Sequence, residues 1–166
     1  QLADPQIIQW IMATARQAAE EAGRDPSGLK CIVCAPSHVS DDLAEARDQV
    51  RWFPAMVSNH VMDLVERYGE DSDEIPAALT DFVKARKFYD YKDHSRVGAK
   101  HGEFVTDEIC DRFCVLGNSG QITEKLRELE GIGVDQFDIY LMTERADETL
   151  AAYGSDVIPQ FTTVAA

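Results

Sequence analysis

The chain has 166 residues, which is enough for one domain with a substantial apolar core. Its 30 acidic and 16 basic residues give a formal net charge of −14, which disfavours nucleic acid and anionic membranes as partners. No apolar run approaches the ~20 residues of a membrane span, and no signal peptide precedes the first predicted helix, so we expect a soluble, cytoplasmic protein.

The first predicted elements are a helix and a buried strand. Asp4 is a capping residue before Pro5, and apolar residues then recur at helical spacing to about Ala22. A turn-rich link leads to residues 29–35, a continuous apolar run that is typical of a strand covered on both faces of a parallel sheet. We expect this strand to end at residues 36–39, which read Pro-Ser-His-Val.

Two helices are predicted next. Residues 40–42, Ser-Asp-Asp, supply a cap and two acids near the positive end of the helix dipole. Pro54 marks either a kink or the start of the second helix. His60 lies beside the apolar stripe of that helix, where the pattern is compatible with a buried structural histidine and with a ligand or base. The stripe consists of Phe53, Val57, Val61, Leu64 and Tyr68.

The following stretch is polar and irregular until an aromatic run. An acidic loop at residues 69–76 and a short helix at 81–87 precede residues 88–94, Phe-Tyr-Asp-Tyr-Lys-Asp-His. Tyr91 and His94 in this run suit a lid over a planar ring system, and equally a loop anchored by aromatic packing. Nearby basic residues could attract an anionic ligand tail or only balance local charge; they are Lys92, Arg96, Lys100 and His101.

Residues 111–142 carry the most regular pattern. A short apolar run at 113–116 precedes a helix that Asn118 or Ser119 can cap and that glycine can end. Residues 135–142 then alternate in polarity and are rich in β-formers, which predicts a strand of a parallel β/α unit.

The start of that helix is also a possible phosphate site. Gly117, Asn118 and Ser119 place backbone N–H groups at the positive end of a helix dipole, which favours an anion. Glycine at a helix start is common, so an ordinary cap explains the same residues.

The four cysteines superficially resemble a paired-cysteine zinc pattern. A strand would send Cys31 and Cys34 to opposite faces, where they could not hold one ion without a turn. Cys114 lies in an apolar run. We therefore expect free cysteines packed in the core of a protein from a reducing compartment, and no metal site.

Six segments occur in order along nearly the whole chain: CIVCAP, RWFPAMVSNHVMDLVERYG, FYDYKDH, DRFCVLG, LRELEGIGVDQFDIYLM and TLAAYGSDVIP. Together they resemble the C-terminal half of a luciferase-like flavin or deazaflavin oxidoreductase of the bacterial luciferase superfamily. The nearest branch is the deazaflavin-dependent one.

This resemblance implies an α/β fold that is the C-terminal half of a (β/α)8 TIM barrel, helix-rich, with a long helical excursion between the last two strands. A whole barrel needs at least about 200 residues. We therefore expect residues 1–166 to be a single partial domain whose partner is the missing N-terminal half of the barrel. Half a barrel leaves strand edges and apolar helix faces unpaired, so we also expect a homo-oligomer.

The resemblance further implies an enzyme, a coenzyme F420-dependent oxidoreductase that transfers a hydride between the reduced deazaflavin and a small organic substrate. Related sequences tend to carry histidine at the position of Thr143, so this chain departs from the pattern there. The implied pocket residues lie at carboxyl ends of strands or in the excursion; they are Ser37, His38, His60, Tyr91, His94 and Thr143.

Two alternatives stay open, because no nucleophile triad, P-loop or Rossmann glycine pattern occurs and the reaction class rests on the resemblance. The same fold serves FMN-dependent luciferase-like monooxygenases, which activate oxygen on the flavin. The chain could also be a non-catalytic, self-associating fragment. The sequence does not identify a catalytic acid or base.

Overall fold

The computed structural model describes residues 1–68, 81, 84, 92 and 96–161. Within these residues the protein is a helix-rich α/β structure built on a three-stranded parallel sheet. The elements in chain order are α1 (Pro5–Glu21), β1 (Ile32–Val39), α2 (Leu43–Val50), α3 (Trp52–Tyr68), α4 (Asp107–Phe113), β2 (Val115–Gly117), α5 (Ser119–Gly131), β3 (Gln136–Tyr140) and α6 (Ala146–Ala152). A π-helical turn (Tyr153–Val157) and a 3-10 turn (Ile158–Gln160) follow α6.

The predicted helix starts are confirmed by side-chain caps. The Asp4 carboxylate accepts a hydrogen bond from the backbone N–H of Ile7 at 2.9 Å, and Pro5 opens α1. The Asp42 carboxylate accepts from the N–H groups of Ala44 and Glu45 at 3.0 and 3.1 Å. These contacts are local in sequence, which is why the capping residues alone indicate them.

Pro54 lies in the first turn of a new helix, as one of the two predicted alternatives had it. α2 ends at Val50 and α3 begins at Trp52, so the proline interrupts no helical hydrogen bond. Phe53, Val57 and Val61 are 1–3% exposed, which confirms that part of the apolar stripe.

The first strand differs from its prediction in position and in burial. It runs from Ile32 to Val39 rather than over residues 29–35. Ile32 is 58% exposed, whereas Ala35, Ser37 and His38 are fully buried, so the strand is uncovered only at its beginning. The reason is a change of partner along the strand. Residues 32–36 pair with β3, and residues 37–39 pair with β2, which draws three further residues into the ladder.

The sheet order is β2-β1-β3, with the first strand in the middle. The long segment of chain lies between β1 and β2, and not between the last two strands, which are separated only by α5. Consecutive strands pair in a (β/α)8 barrel. In the part of the sheet that the structure describes, β2 and β3 lie on opposite sides of β1 instead, an order that open doubly wound sheets also use.

Two arginines of the α2 region hold the chain where it returns to the sheet. The Arg47 guanidinium donates to both carboxylate oxygens of Asp111 at 2.7 and 2.9 Å. Arg51 donates to Asp107 and to the carbonyl of Val105, each at 2.6 Å. Each of these partly exposed ion pairs contributes little to the free energy of unfolding, but together they hold α2 against α4.

The cysteines confirm the expectation of free thiols in the core. All four are unbonded to one another, and only Cys34 is half-buried rather than buried. Burial raises the pKa of the Cys110 thiol to about 11, and burial also raises the pKa of the Cys114 thiol well above its ordinary value. Both thiols are therefore neutral and unreactive at physiological pH.

Some of the predicted segments lie outside the residues that the structure describes. The acidic loop, the helix predicted at 81–87 and the aromatic run lie mostly outside the described residues. The last helix starts at Ala146, and Pro159 lies in the 3-10 turn that ends the described chain. Over the ranges that the structure covers, no helix is both long and apolar enough to cross a membrane.

Candidate functional site

The carboxyl end of β1 carries polar residues into the protein interior. Ser37 and His38 are both fully buried at the end of the central strand, where β1 leaves β3 and joins β2. In open parallel sheets, ligands bind outside the carboxyl ends of the strands, where chain connections diverge to opposite sides. The sheet order therefore points to this edge independently of any resemblance.

Ser37 joins three elements. Its hydroxyl donates to the backbone carbonyl of Val115 in β2 at 2.9 Å and lies 2.7 Å from the Tyr153 hydroxyl, which then acts as the donor between them. Burial raises the pKa of the Tyr153 phenol, so this hydroxyl keeps its proton. Both hydrogen bonds of the Ser37 hydroxyl connect parts of the fold, so a ligand would compete with these contacts.

His38 lies against an ion pair. Its Nε2 atom is 3.2 Å from the Glu45 carboxylate and 3.2 Å from the Arg145 guanidinium. Arg145 donates to the same Glu45 oxygen at 2.7 Å. The pair comes from the first turn of α2 and the start of α6, and both charged side chains reach solvent while the imidazole does not.

Two buried atoms at this edge have no hydrogen-bond partner among the described residues: Nδ1 of His38 and Oγ1 of Thr143. Thr143 is 8% exposed and follows β3, the neighbour of β1. An unpaired buried polar atom is unfavourable by about 1–3 kcal/mol, and such atoms concentrate where a fold keeps groups for a ligand or for bound water. The carboxyl edge of the sheet therefore offers a ligand or a bound water one imidazole nitrogen and one hydroxyl group.

The chain after β3 folds over this edge, and residues 141–145 are called the β3 loop below. The Gln49 side chain of α2 accepts from the Glu144 backbone N–H at 2.9 Å and donates to the Glu144 carboxylate at 3.3 Å. The Thr149 hydroxyl in α6 accepts from the backbone N–H of Val39 at 3.2 Å. α2 and α6 thus both attach to the end of β1.

Aromatic side chains pack together at the end of β3, next to the same edge. Tyr140, the last residue of β3, has its ring centroid 5.9 Å from that of Trp52 and 6.1 Å from that of Phe53. Trp52 is 1% exposed and donates from its indole nitrogen to the carbonyl of Gln49. The tryptophan therefore anchors the α2–α3 junction.

The predicted phosphate residues form a complete helix cap. The Asn118 side chain accepts from the Gln121 N–H at 3.1 Å, and the Gln121 side chain accepts from the Asn118 N–H at 3.0 Å. The Ser119 hydroxyl donates to the Asp156 carboxylate at 3.1 Å, which places a protein anion beside this helix start. Gly117 has φ +119°. A phosphate role for these residues stays a prediction.

The remaining predicted pocket residues are not brought to this edge by any contact described above. His60 is exposed on α3, while Tyr91 and His94 lie outside the described residues. A groove of about 300 Å³ lies between the α2–α3 junction and residues 97–103, and it is lined in part by Arg51, Trp52 and Lys100. Ser37, His38 and Thr143 do not line it, so it is a separate feature.

The sequence did not indicate the partners of His38. Glu45 and Arg145 are separated by 100 positions along the chain, and neither belongs to a recognisable motif. A usable signal is the run Thr143-Glu144-Arg145, which places a hydroxyl and two charged side chains directly after a predicted strand. Within the part of the chain that is described, no group of three or more His, Cys, Asp or Glu side chains is arranged to hold a metal ion.

Comparisons with known proteins bear on this edge. The family described as luciferase-like monooxygenase matches residues 1–136. A 5,10-methylenetetrahydromethanopterin reductase of Methanolobus tindarius is 32% identical over 133 residues, covering 80% of this chain and 38% of the reductase. The solved coenzyme F420 dependent tetrahydromethanopterin reductase from Methanopyrus kandleri is 18% identical and shares the fold, with a TM-score of 0.64 over 98% of this chain and 44% of its own.

The chain thus spans less than half the length of either reductase. The family match includes Ser37, His38 and Glu45 and ends at the first residue of β3. Thr143 and Arg145 lie beyond it, so their place at the edge rests on the geometry of this structure.

Proposed function

Because the chain belongs to the luciferase-like monooxygenase family, we propose that it forms part of a coenzyme F420-dependent oxidoreductase that transfers a hydride between the reduced deazaflavin and a small organic substrate. The similarity to the Methanolobus tindarius reductase carries this proposal, because that protein is named for a reduction and not for an oxygenation. Its substrate, 5,10-methylenetetrahydromethanopterin, is the first substrate to test.

The residues at the carboxyl edge fit the uncharged part of such a ligand. His38 and Thr143 each keep one buried polar atom without a partner, which suits the polar rim of a planar heterocycle. Glu45 and Glu144 make the surroundings acidic, so an anionic tail fits this edge poorly. The tail of the cofactor therefore lies elsewhere in the proposed complex.

A bound reduced deazaflavin supplies the hydride. The task of this chain is to orient the ligand and to exclude water around it. His38 and Thr143 form hydrogen bonds in a buried site, where such bonds are stronger than in water. Gln49 holds Glu144 and thereby attaches the β3 loop to α2 beside these two residues.

A titration of the purified protein with oxidised coenzyme F420, followed by its fluorescence, tests the binding step. Thr143→Val keeps the shape of the side chain and removes the hydroxyl, so we expect about tenfold weaker binding, the loss of one hydrogen bond. Thr14→Val on the exposed face of α1 is the matched control and should bind like the wild type. Oxidation of reduced coenzyme F420 by 5,10-methylenetetrahydromethanopterin then tests turnover.

Two results would overturn the proposal. Oxygen consumption with reduced FMN, without deazaflavin binding, would assign the chain to the monooxygenase alternative. The absence of binding by both cofactors would favour the non-catalytic alternative.

A further inference from the structure

The ion pair of Glu45 and Arg145 touches only one of the two nitrogens of His38. We propose that Glu45 and Arg145 are positioning residues that keep His38 protonated at Nε2, so that Nδ1 accepts a hydrogen bond from an N–H or O–H group of the bound ligand. The identity of the ligand rests on the proposed function. The protonation state of the ring does not.

The contacts at Nε2 limit the ring to few states. A proton on Nε2 is donated to the Glu45 carboxylate at 3.2 Å. Without that proton, the Nε2 lone pair faces the carboxylate oxygen at the same distance, which is repulsive, and only the Arg145 donor offsets this. The choice between the two states depends on the net charge around Nε2.

That net charge is negative. Arg145 is shared between two carboxylates, donating to Glu45 at 2.7 Å and to Glu148 at 3.2 Å. One guanidinium therefore faces two carboxylates from α2 and α6, and its positive field at the ring is more than compensated. A proton on Nε2 is favoured, whereas a proton on Nδ1 would have no acceptor among the described residues.

The resulting acceptor selects the chemistry of its ligand. A buried lone pair beside a surplus carboxylate repels phosphate and carboxylate groups and accepts from lactam, amide or hydroxyl donors. Nδ1 is closed off from solvent, so a ligand reaches it only when the packing around the ring opens.

Nitrogen-15 NMR of the ligand-free protein at neutral pH tests the state of His38. We expect the Nε2–H tautomer in the wild type. Glu45→Leu removes the acceptor and leaves the Arg145 donor, so the ring should change to the Nδ1–H tautomer. Glu128→Leu is the matched control, because Glu128 pairs with Lys125 in α5 and with neither His38 nor Arg145, and it should leave the tautomer unchanged.

Glu45→Gln loses the charge but keeps an acceptor oxygen at this position, so it should retain more of the Nε2–H tautomer than Glu45→Leu, which guards against misfolding of the leucine variant. A wild-type ring protonated at Nδ1, or at both nitrogens, would overturn the proposal. So would a ring that keeps Nε2–H in a folded Glu45→Leu protein.

Adding oxidised coenzyme F420 completes the test. Binding should move the Nδ1 resonance towards the protonated range, and Glu45→Leu should weaken binding about tenfold, the loss of one hydrogen bond. If the wild type binds no deazaflavin while the tautomers behave as expected, the proposed function fails and the positioning role stands. A deazaflavin that binds without moving the Nδ1 resonance would overturn the ligand contact.

Discussion

Two buried threonines near the start of α6 have opposite hydrogen-bonding situations. The hydroxyl of Thr149 accepts from the backbone N–H of Val39 and is fully buried. The hydroxyl of Thr143 is also buried but has no partner within the described structure. One side chain therefore stabilises the fold, while the other carries an energetic cost that a bound ligand would remove.

Valine at each position separates these roles. Thr143→Val removes an unpaired buried hydroxyl, so the free energy of unfolding should rise by about 1 kcal/mol. Thr149→Val leaves the Val39 N–H unpaired, so the free energy of unfolding should fall by about 1–3 kcal/mol. Urea unfolding measures both changes, and equal destabilisation by the two variants would contradict the assignment of Thr143 to a ligand.

Site residues were predictable from the sequence only where position along a strand identified them. His38 and Thr143 follow apolar runs, which put them at the ends of predicted strands, and the family resemblance implied a pocket at those ends. Their partners could not be predicted in the same way. Glu45 and Arg145 become neighbours of His38 only when α2 and α6 pack on the same end of β1.

At the scale of elements, the β2–α5 junction is specified entirely by residues that are close together in the sequence. Gly117 adopts φ +119°, and an added Cβ would lie 2.4 Å from the Gln121 carboxamide oxygen. That oxygen caps the N–H of Asn118, so the glycine and the capping box depend on each other. The strand can turn directly into the helix because residue 117 has no side chain.

Gly117→Ala tests this junction. The added methyl group is strained at positive φ and displaces the Gln121 cap, so we expect the free energy of unfolding to fall by about 2–4 kcal/mol. Gly131→Ala, at the last residue of α5, meets no atom within 4 Å and is the control. It should be neutral or stabilising by about 0.5–1 kcal/mol. Thermal unfolding that is equal for the two variants would contradict the mechanism.

The helix starts were predictable because each cap joins residues three apart or fewer. The end of β1 and the order of the strands could not be predicted in the same way. The end of β1 depends on β2, which pairs with Ser37 from 78 positions further along the chain. Neither the extension of β1 past Pro36 nor the order β2-β1-β3 has a local signal, because both depend on which strands pair.

At the scale of the whole molecule, a large negative charge coexists with an exposed apolar surface. Ile11 of α1 and Ile32 of β1 are 45% and 58% exposed. They flank one groove of about 170 Å³, which Leu2, Ile8 and Met12 also line. Apolar surface around a groove favours association, whereas a net charge of −14 on each copy opposes it.

We expect self-association at micromolar concentration that strengthens with added salt, because salt screens the repulsion and leaves the apolar contact intact. Light scattering between about 0.05 and 0.5 M salt measures this dependence. Ile32→Thr and Ile11→Thr should each weaken association at least about tenfold by removing apolar area from the contact.

Ile158→Thr is the matched control for this surface. Ile158 is 50% exposed in the 3-10 turn after α6, and it does not line the groove. Its replacement removes a similar apolar area but leaves the groove unchanged, so the association constant should stay at the wild-type value. A monomer at every salt concentration, or equal weakening by all three variants, would show that the groove of Ile11 and Ile32 is not the contact surface. Association that weakens with salt would instead indicate pairing between charged patches, since screening acts against attraction and repulsion alike.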